Sequence, residues 1–89
     1  MLIDNVSGVF TSRGVEWPGG PGLYESTSAS GTQSNDFERL GPDNITWILI
    51  AKTTGNVVVN FDFNKSQVRI VQGAGTNVFA DVKTRRISR

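Results

Sequence analysis

The run Trp47-Ile48-Leu49-Ile50-Ala51 is the most apolar stretch of the chain, five residues without a polar break. It is too short for a helix of ordinary length and has the length of a strand covered on both faces. Ahead of it stands Gly41-Pro42-Asp43-Asn44, which carries turn chemistry. Pro presets φ at an early turn position, and Asp and Asn side chains bond their own backbone. Residues 40–51 therefore read as a turn feeding a central strand against which the rest of the chain is laid. On that reading, Trp47→Asp or Ile48→Asp unfolds the domain.

The remaining sequence has the same character. Val, Ile and Thr total 24 of 89 residues, whereas Ala, Leu and Met total 9. β-branched side chains lose χ1 freedom in helices and pack well on pleated sheets. Ten Gly and three Pro cut the chain into short runs. Val57-Val58-Val59-Asn60-Phe61-Asp62-Phe63 alternates with period 2, placing Val57, Val59, Phe61 and Phe63 on one face and Asn60 and Asp62 on the other. In residues 77–83, Val78, Ala80 and Val82 face a core and Phe79, Asp81 and Lys83 face out. Residues 36–51 form a hairpin, the first strand is irregular with a bulge at Gly8, and Pro18-Gly19-Gly20-Pro21-Gly22 forms a tight exposed turn. Seven to eight short strands with a turn every 8–12 residues predict an all-β, single-domain antiparallel β-sandwich or jelly-roll-like barrel over residues 1–82.

Several chemistries lack their usual residues. Cys and His are both absent, which removes thiolate metal sites, the commonest general base and the commonest metal ligand. Asp36 and Glu38 put two carboxylates on one strand face, with Asp62 a third candidate, but a solvated face explains them. Asn44-Ile45-Thr46 matches a glycosylation sequon, and Gly73-Ala74-Gly75 lacks the Lys-Ser/Thr of a phosphate loop. The expectation is no enzyme, no catalytic, cofactor or metal site, and no small-molecule ligand. No apolar run approaches the ~20 residues that span a bilayer, and Asp4 spoils a signal-peptide core. A soluble chain made in the cytoplasm is expected, with no membrane partner.

Charge points to binding. Lys83, Arg85, Arg86 and Arg89 place four of nine basic residues in the last seven positions, leaving residues 1–82 with five basic and eight acidic residues. Such a tail, residues 83–89, docks on something acidic or back on its own body. Trp17, Tyr24 and Phe79, with Arg69, Lys83, Arg85 and Arg86, supply the aromatic and basic groups a single-strand-binding barrel uses, although the body lacks a basic stripe. Phe79 beside the tail fits a protein interface better, since aromatics and Arg anchor interfaces. Alternatively, Trp17 or the N-terminal segment covers Phe79.

Three motifs occur in a suggestive order. They are Val15-Glu16-Trp17-Pro18-Gly19-Gly20-Pro21-Gly22, then Leu40-Gly41-Pro42-Asp43 leading to Trp47-Ile48, then Phe61-Asp62-Phe63 with Gln67-Val68-Arg69-Ile70-Val71 and a Gly-rich turn. In this order the chain resembles small β-rich virion proteins of tailed bacteriophages, of the head decoration or cement type. The resemblance implies a structural protein that sits on the outer capsid shell of the virion. It would bind the major capsid protein, form a trimer or dimer, and stabilise the shell without catalysis. Its candidate contact residues are Leu2, Ile3, Trp17, Pro18, Tyr24, Phe79, Lys83, Arg85, Arg86 and Arg89. A tail or head-fibre component is the alternative of the same build. The acidic strand at residues 36–39 and the basic tail depart from the family pattern.

Overall fold

The computed structural model describes residues 1–84. Nine strands run in chain order: β1 (Ile3–Val6), β2 (Phe10–Thr11), β3 (Val15–Trp17), β4 (Gly20–Thr27), β5 (Ser34–Leu40), β6 (Trp47–Thr54), β7 (Val57–Phe63), β8 (Ser66–Ala74) and β9 (Val78–Thr84). They form two antiparallel sheets. One has the order β1-β9-β4-β7; the other has β8 between β5 and the pair β2 and β3, with β6 beyond β5. Because β2 and β3 lie end to end along β8, the nine strands fill eight positions. At the break between them, Ser12 keeps the ladder bonded: its N–H donates to the Ile70 carbonyl, and its hydroxyl accepts from the Ile70 N–H at 2.9 Å.

Apart from β2–β3 and the β5–β6 hairpin, every connection crosses from one sheet to the other. That order of strands is the jelly roll, two Greek keys wrapped into a sandwich. The all-β sandwich expected from the sequence is therefore the fold. β7 and β9 show the predicted alternation, with Val78 and Ala80 buried and Phe79 exposed.

Both sheets contribute to the core. Ile3, Tyr24, Phe61, Val78 and Ala80 meet Trp17, Phe37, Val68 and Ile70. Tyr24 stacks on Phe37 at 5.1 Å between centroids, and Phe61 lies 4.8 Å from both Phe37 and Trp17. Such contacts add about 0.5–1.5 kcal/mol per pair beyond area burial. Further along, the interior turns polar. Gln33 Nε2 and Asn35 Nδ2 both donate to Ser26 Oγ, at 3.0 and 2.9 Å. Thr53 donates to the Asn35 carbonyl, so the Tyr24 hydroxyl donates to Thr53 Oγ1 at 3.0 Å. Burial raises the Tyr24 pKa above its ordinary value of 10.0, and these hydrogen bonds oppose the shift only in part.

Three local expectations are corrected. β6 is an edge strand, paired among the described residues only with β5, and Leu49 and Ile48 are exposed. The Pro-Gly stretch is not wholly a turn, because Gly20, Pro21 and Gly22 belong to β4 and pair with Phe63, Asp62 and Phe61 of β7. Pro21 there faces Asp62 of β7. The first-strand bulge falls at Asn5, where φ is 59°, rather than at Gly8. β9, expected over residues 77–83, runs through Thr84, with Lys83 and Thr84 paired to Leu23 and Gly22.

Candidate functional site

The outer face of β9 and its neighbours carries the first candidate surface. Alternation in β9 turns Phe79, Asp81 and Lys83 outward, opposite Thr27, Glu25 and Leu23 of β4. Phe79 also pairs with Asp4 of β1 and remains 39 % exposed. With Met1, Glu25, Thr27, Ala80 and Asp81 it lines a shallow cleft of about 160 Å³. The Asp81 carboxylate accepts from the Leu2 N–H at 3.2 Å and ties the N-terminal segment along the cleft. Lys83 Nζ sits 2.7 Å from Glu25 Oε1, and that hydrogen bond with its charge raises the lysine pKa. Part of the basic C-terminal charge thus docks on the chain's own acidic body.

The opposite sheet carries a second surface. Trp47 lies across its outside with the Arg69 guanidinium 4.3 Å from the ring centroid, while Arg69 Nε donates to Glu38 Oε1 at 2.7 Å. The indole also reaches Gly14, where a Cβ would stand 3.3 Å from Cη2. Beyond Trp47 the edge strand exposes Ile48 and Leu49, and the preceding loop exposes Ile45. A third concavity of about 420 Å³ opens at the loop end between Glu16, Arg39, Lys65 and Gln67. It mixes both signs of charge around Leu40 and Pro42.

Of the contact residues expected from the sequence, Leu2, Ile3, Trp17 and Tyr24 lie in the core. Trp17 and Tyr24, expected among the exposed aromatics, are 3 % and 0 % exposed, because the turn after Trp17 and the period of β4 direct both rings between the sheets. Trp17 does not cover Phe79; it packs on Phe61 and Phe63. Pro18 is exposed at the β3–β4 turn, and Phe79 and Lys83 share the outer face just described. Arg85, Arg86 and Arg89 lie outside the described residues. Asp36 and Glu38 do share a face, but each is paired with a cation, Lys52 at 3.3 Å and Arg69 at 2.7 Å, and Asp62 is on the other sheet.

The sequence reading missed the exposed apolar residues. Among the described residues the large exposed hydrophobics are Met1, Val9, Phe10 and Phe79 toward the β1–β2 edge, and Ile45, Ile48, Leu49 and Val58 toward the β6–β7 edge. Ile45 could have been found, since it stands alone between turn residues where no core can reach it. Ile48 and Leu49 could not, because an apolar run reads as buried. Compared with known proteins, the chain matches no family model, no curated protein and no solved structure.

Proposed function

We propose that this protein is a structural subunit of a phage particle. In this reading it is a decoration protein that binds the outer shell of the head through the major capsid protein and stabilises it by contact alone. The observation that carries the reading is the distribution of exposed apolar groups. They stand on edge strands or the loops beside them, and Phe79 stands on the strand next to the β1 edge. Exposed apolar groups that cluster rimmed by polar residues mark protein contact surfaces, and Phe79 with Met1 beside the Glu25–Lys83 pair is such a group here. The jelly roll adds support, being a build that viral capsid domains use, although lectin domains use it too. Many copies, each bound weakly, would reinforce a shell through effective concentration. Phe79, with Met1 and the Glu25–Lys83 pair around it, is the surface assigned to the shell.

Co-sedimentation with empty capsids assembled from the major capsid protein of the same phage tests this. Saturable binding, weakened by Phe79→Ser, is the expected result. If the protein stays in the supernatant at every ratio, the decoration reading falls; a tail or head-fibre position would then be sought by labelled electron microscopy of whole particles. Single-strand binding is less well supported, because two of the three aromatics it called on are in the core.

A further inference from the structure

The sheet that holds β8 divides at one end. β3 stays paired with β8 as far as Trp17 and Ser66. On the other side, β5 leaves β8 after the Arg39–Val68 pair and continues beside β6, with Leu40 opposite Trp47. The loop-end concavity of about 420 Å³ lies in that split, with Glu16, Lys65 and Gln67 on one side and Arg39, Pro42 and Asn44 on the other. Its volume falls inside the roughly 300–1,000 Å³ of small-molecule sites. The β5 side is held in shape beforehand. Asp43 accepts from the Ile45 N–H, the Thr46 N–H and the Thr46 hydroxyl, and the Gly41 N–H closes the loop onto the Thr46 carbonyl.

The lining has spare bonding capacity. Elsewhere on the sandwich, ion pairs hold Asp36 to Lys52, Glu38 to Arg69 and Glu25 to Lys83. Among the described residues, no ion pair engages Glu16, Arg39 or Lys65. Arg39 instead rests over the Phe63 ring, 5.5 Å from its centroid. Asn44 and Gln67 each add an amide that both donates and accepts. This mixture selects the ligand. An anion alone would meet Glu16, and a cation alone would meet Arg39 and Lys65. An apolar molecule would take charges out of water without replacing their hydrogen bonds. A hydroxyl donates and accepts at once, so a compact ring that carries several hydroxyls answers every one of these groups. We propose that the split in the sheet is a sugar site. Glu16 accepts from the sugar hydroxyls, Arg39 and Lys65 donate to them, Asn44 and Gln67 do both, and Pro42 lies against the ring carbons.

The site is separate from the surface assigned to the shell. Phe63, beneath Arg39, pairs with Gly20 at this end of β4, whereas Phe79 pairs with Thr27 at the other. The strand between Gly20 and Thr27, at about 3.4 Å per residue, puts roughly 24 Å between those pairs. A copy seated through Phe79 keeps its sugar site that far from the contact, and neither reading requires the other.

Proton–nitrogen NMR spectra of the full chain test this, with methyl glucoside, galactose, N-acetylglucosamine and glucuronate as the probes. An open polar site predicts weak binding, so each probe is taken to roughly 50 mM, well above a millimolar dissociation constant. At least one of them should give saturable shifts of the Asn44 and Gln67 side-chain amides and of the Gly41 and Ser66 backbone amides. Glu16→Ala and Lys65→Ala, both at exposed positions, should each weaken that binding about fivefold or more. Their urea midpoints should stay at the parent value. Phe79→Ser should leave sugar binding unchanged. No saturable shift with any of the probes, shifts centred on Phe79, or binding indifferent to both alanine variants overturns the proposal. So does tighter binding of inorganic phosphate or glycine at the same residues, which would make the split an anion or zwitterion site. Sugar binding without capsid binding sinks the shell reading alone, and the converse result sinks only the sugar site.

Discussion

Strands β4 and β6 have exchanged the places their compositions suggest. β4 reads Gly-Pro-Gly-Leu-Tyr-Glu-Ser-Thr and lies inside its sheet between β9 and β7. β6 begins Trp-Ile-Leu-Ile-Ala and lies at an edge. The difference teaches that an interior position in so thin a sandwich goes to the strand that leaves room. At Gly22 a Cβ would stand 2.5 Å from Phe61 Cζ and from two atoms of the Trp17 ring, so the bare backbone is what lets those aromatics meet. Two strand residues further on, Tyr24 fills the centre, and Ser26 beyond it is small enough to collect two amide donors. β6 packs Ile50 and Ala51 against the core but leaves Ile48 and Leu49 exposed.

The largest effect expected is therefore at Gly22. Gly22→Ala forces a methyl into rings that are themselves packed, and overpacking of this kind costs up to about 3 kcal/mol. Urea unfolding measures it directly; a loss below about 0.5 kcal/mol would show that Trp17 and Phe61 have space to retreat and that β4 is not the strand that makes room for them.

Ser26→Ala comes next. It keeps the volume nearly constant but strips Gln33 Nε2 and Asn35 Nδ2 of an acceptor they share deep in the core. Gln33 also donates to Asn56 Oδ1 at 3.2 Å, so it keeps one partner. Leaving Asn35 unmatched costs about 2 kcal/mol. Ser26→Thr, which retains the hydroxyl, separates the lost acceptor from general disturbance of the strand, provided its extra methyl is accommodated.

How far the sequence could be read follows from the same contrast. Alternation in residues 57–63 and 77–83 stated which side faces inward, since a period of two leaves one assignment of faces. The turn at Gly41-Pro42-Asp43-Asn44 and the hairpin through it were legible because turn residues act locally. What stayed hidden was lateral order within each sheet. Composition reports whether a strand's faces are apolar, but not whether another strand lies beside it. Trp17 and Tyr24 were misjudged for a related reason: an aromatic beside Pro-Gly or among Ser and Thr looks exposed until the opposite sheet is in place. On the candidate surfaces, Phe79 and Lys83 were found from alternation in β9, whereas Leu49 and Ile48 were hidden by looking like core.

At β6 itself the expected effects are small. Leu49→Asp places a carboxylate where the side chain already meets water, and the isolated monomer should lose no more than about 0.5 kcal/mol. The same exposure revises the expectation for Ile48→Asp, whose charge can reach solvent from the rim instead of being trapped in a core. Thermal melts at low concentration check both. Unfolding of the Leu49→Asp monomer would restore β6 to the place its composition suggests.

The smallest effect sharpens the comparison most finely, because it asks what fixes β6 when burial does not. Asp43 accepts from the Thr46 N–H at 2.9 Å, the Ile45 N–H at 3.0 Å and the Thr46 hydroxyl at 2.7 Å, while the Gly41 N–H donates to the Thr46 carbonyl at 2.7 Å. These donors, the Thr46 N–H first among them, hold the carboxyl from its ordinary 3.8 down to about 2. With the folded pKa below the unfolded one, the stabilisation is present above the unfolded pKa and is lost as pH falls through about 2. The group is fully exposed, so global stability should change little, and the effect belongs to the turn. A carbon-detected titration should place the Asp43 carboxyl near 2, with the Ile45 and Thr46 amide resonances moving on the same curve. Ordinary titration near 3.8, with those amides unmoved, would mean the turn does not grip the start of β6, and the strand's register would then rest on its ladder with β5 alone.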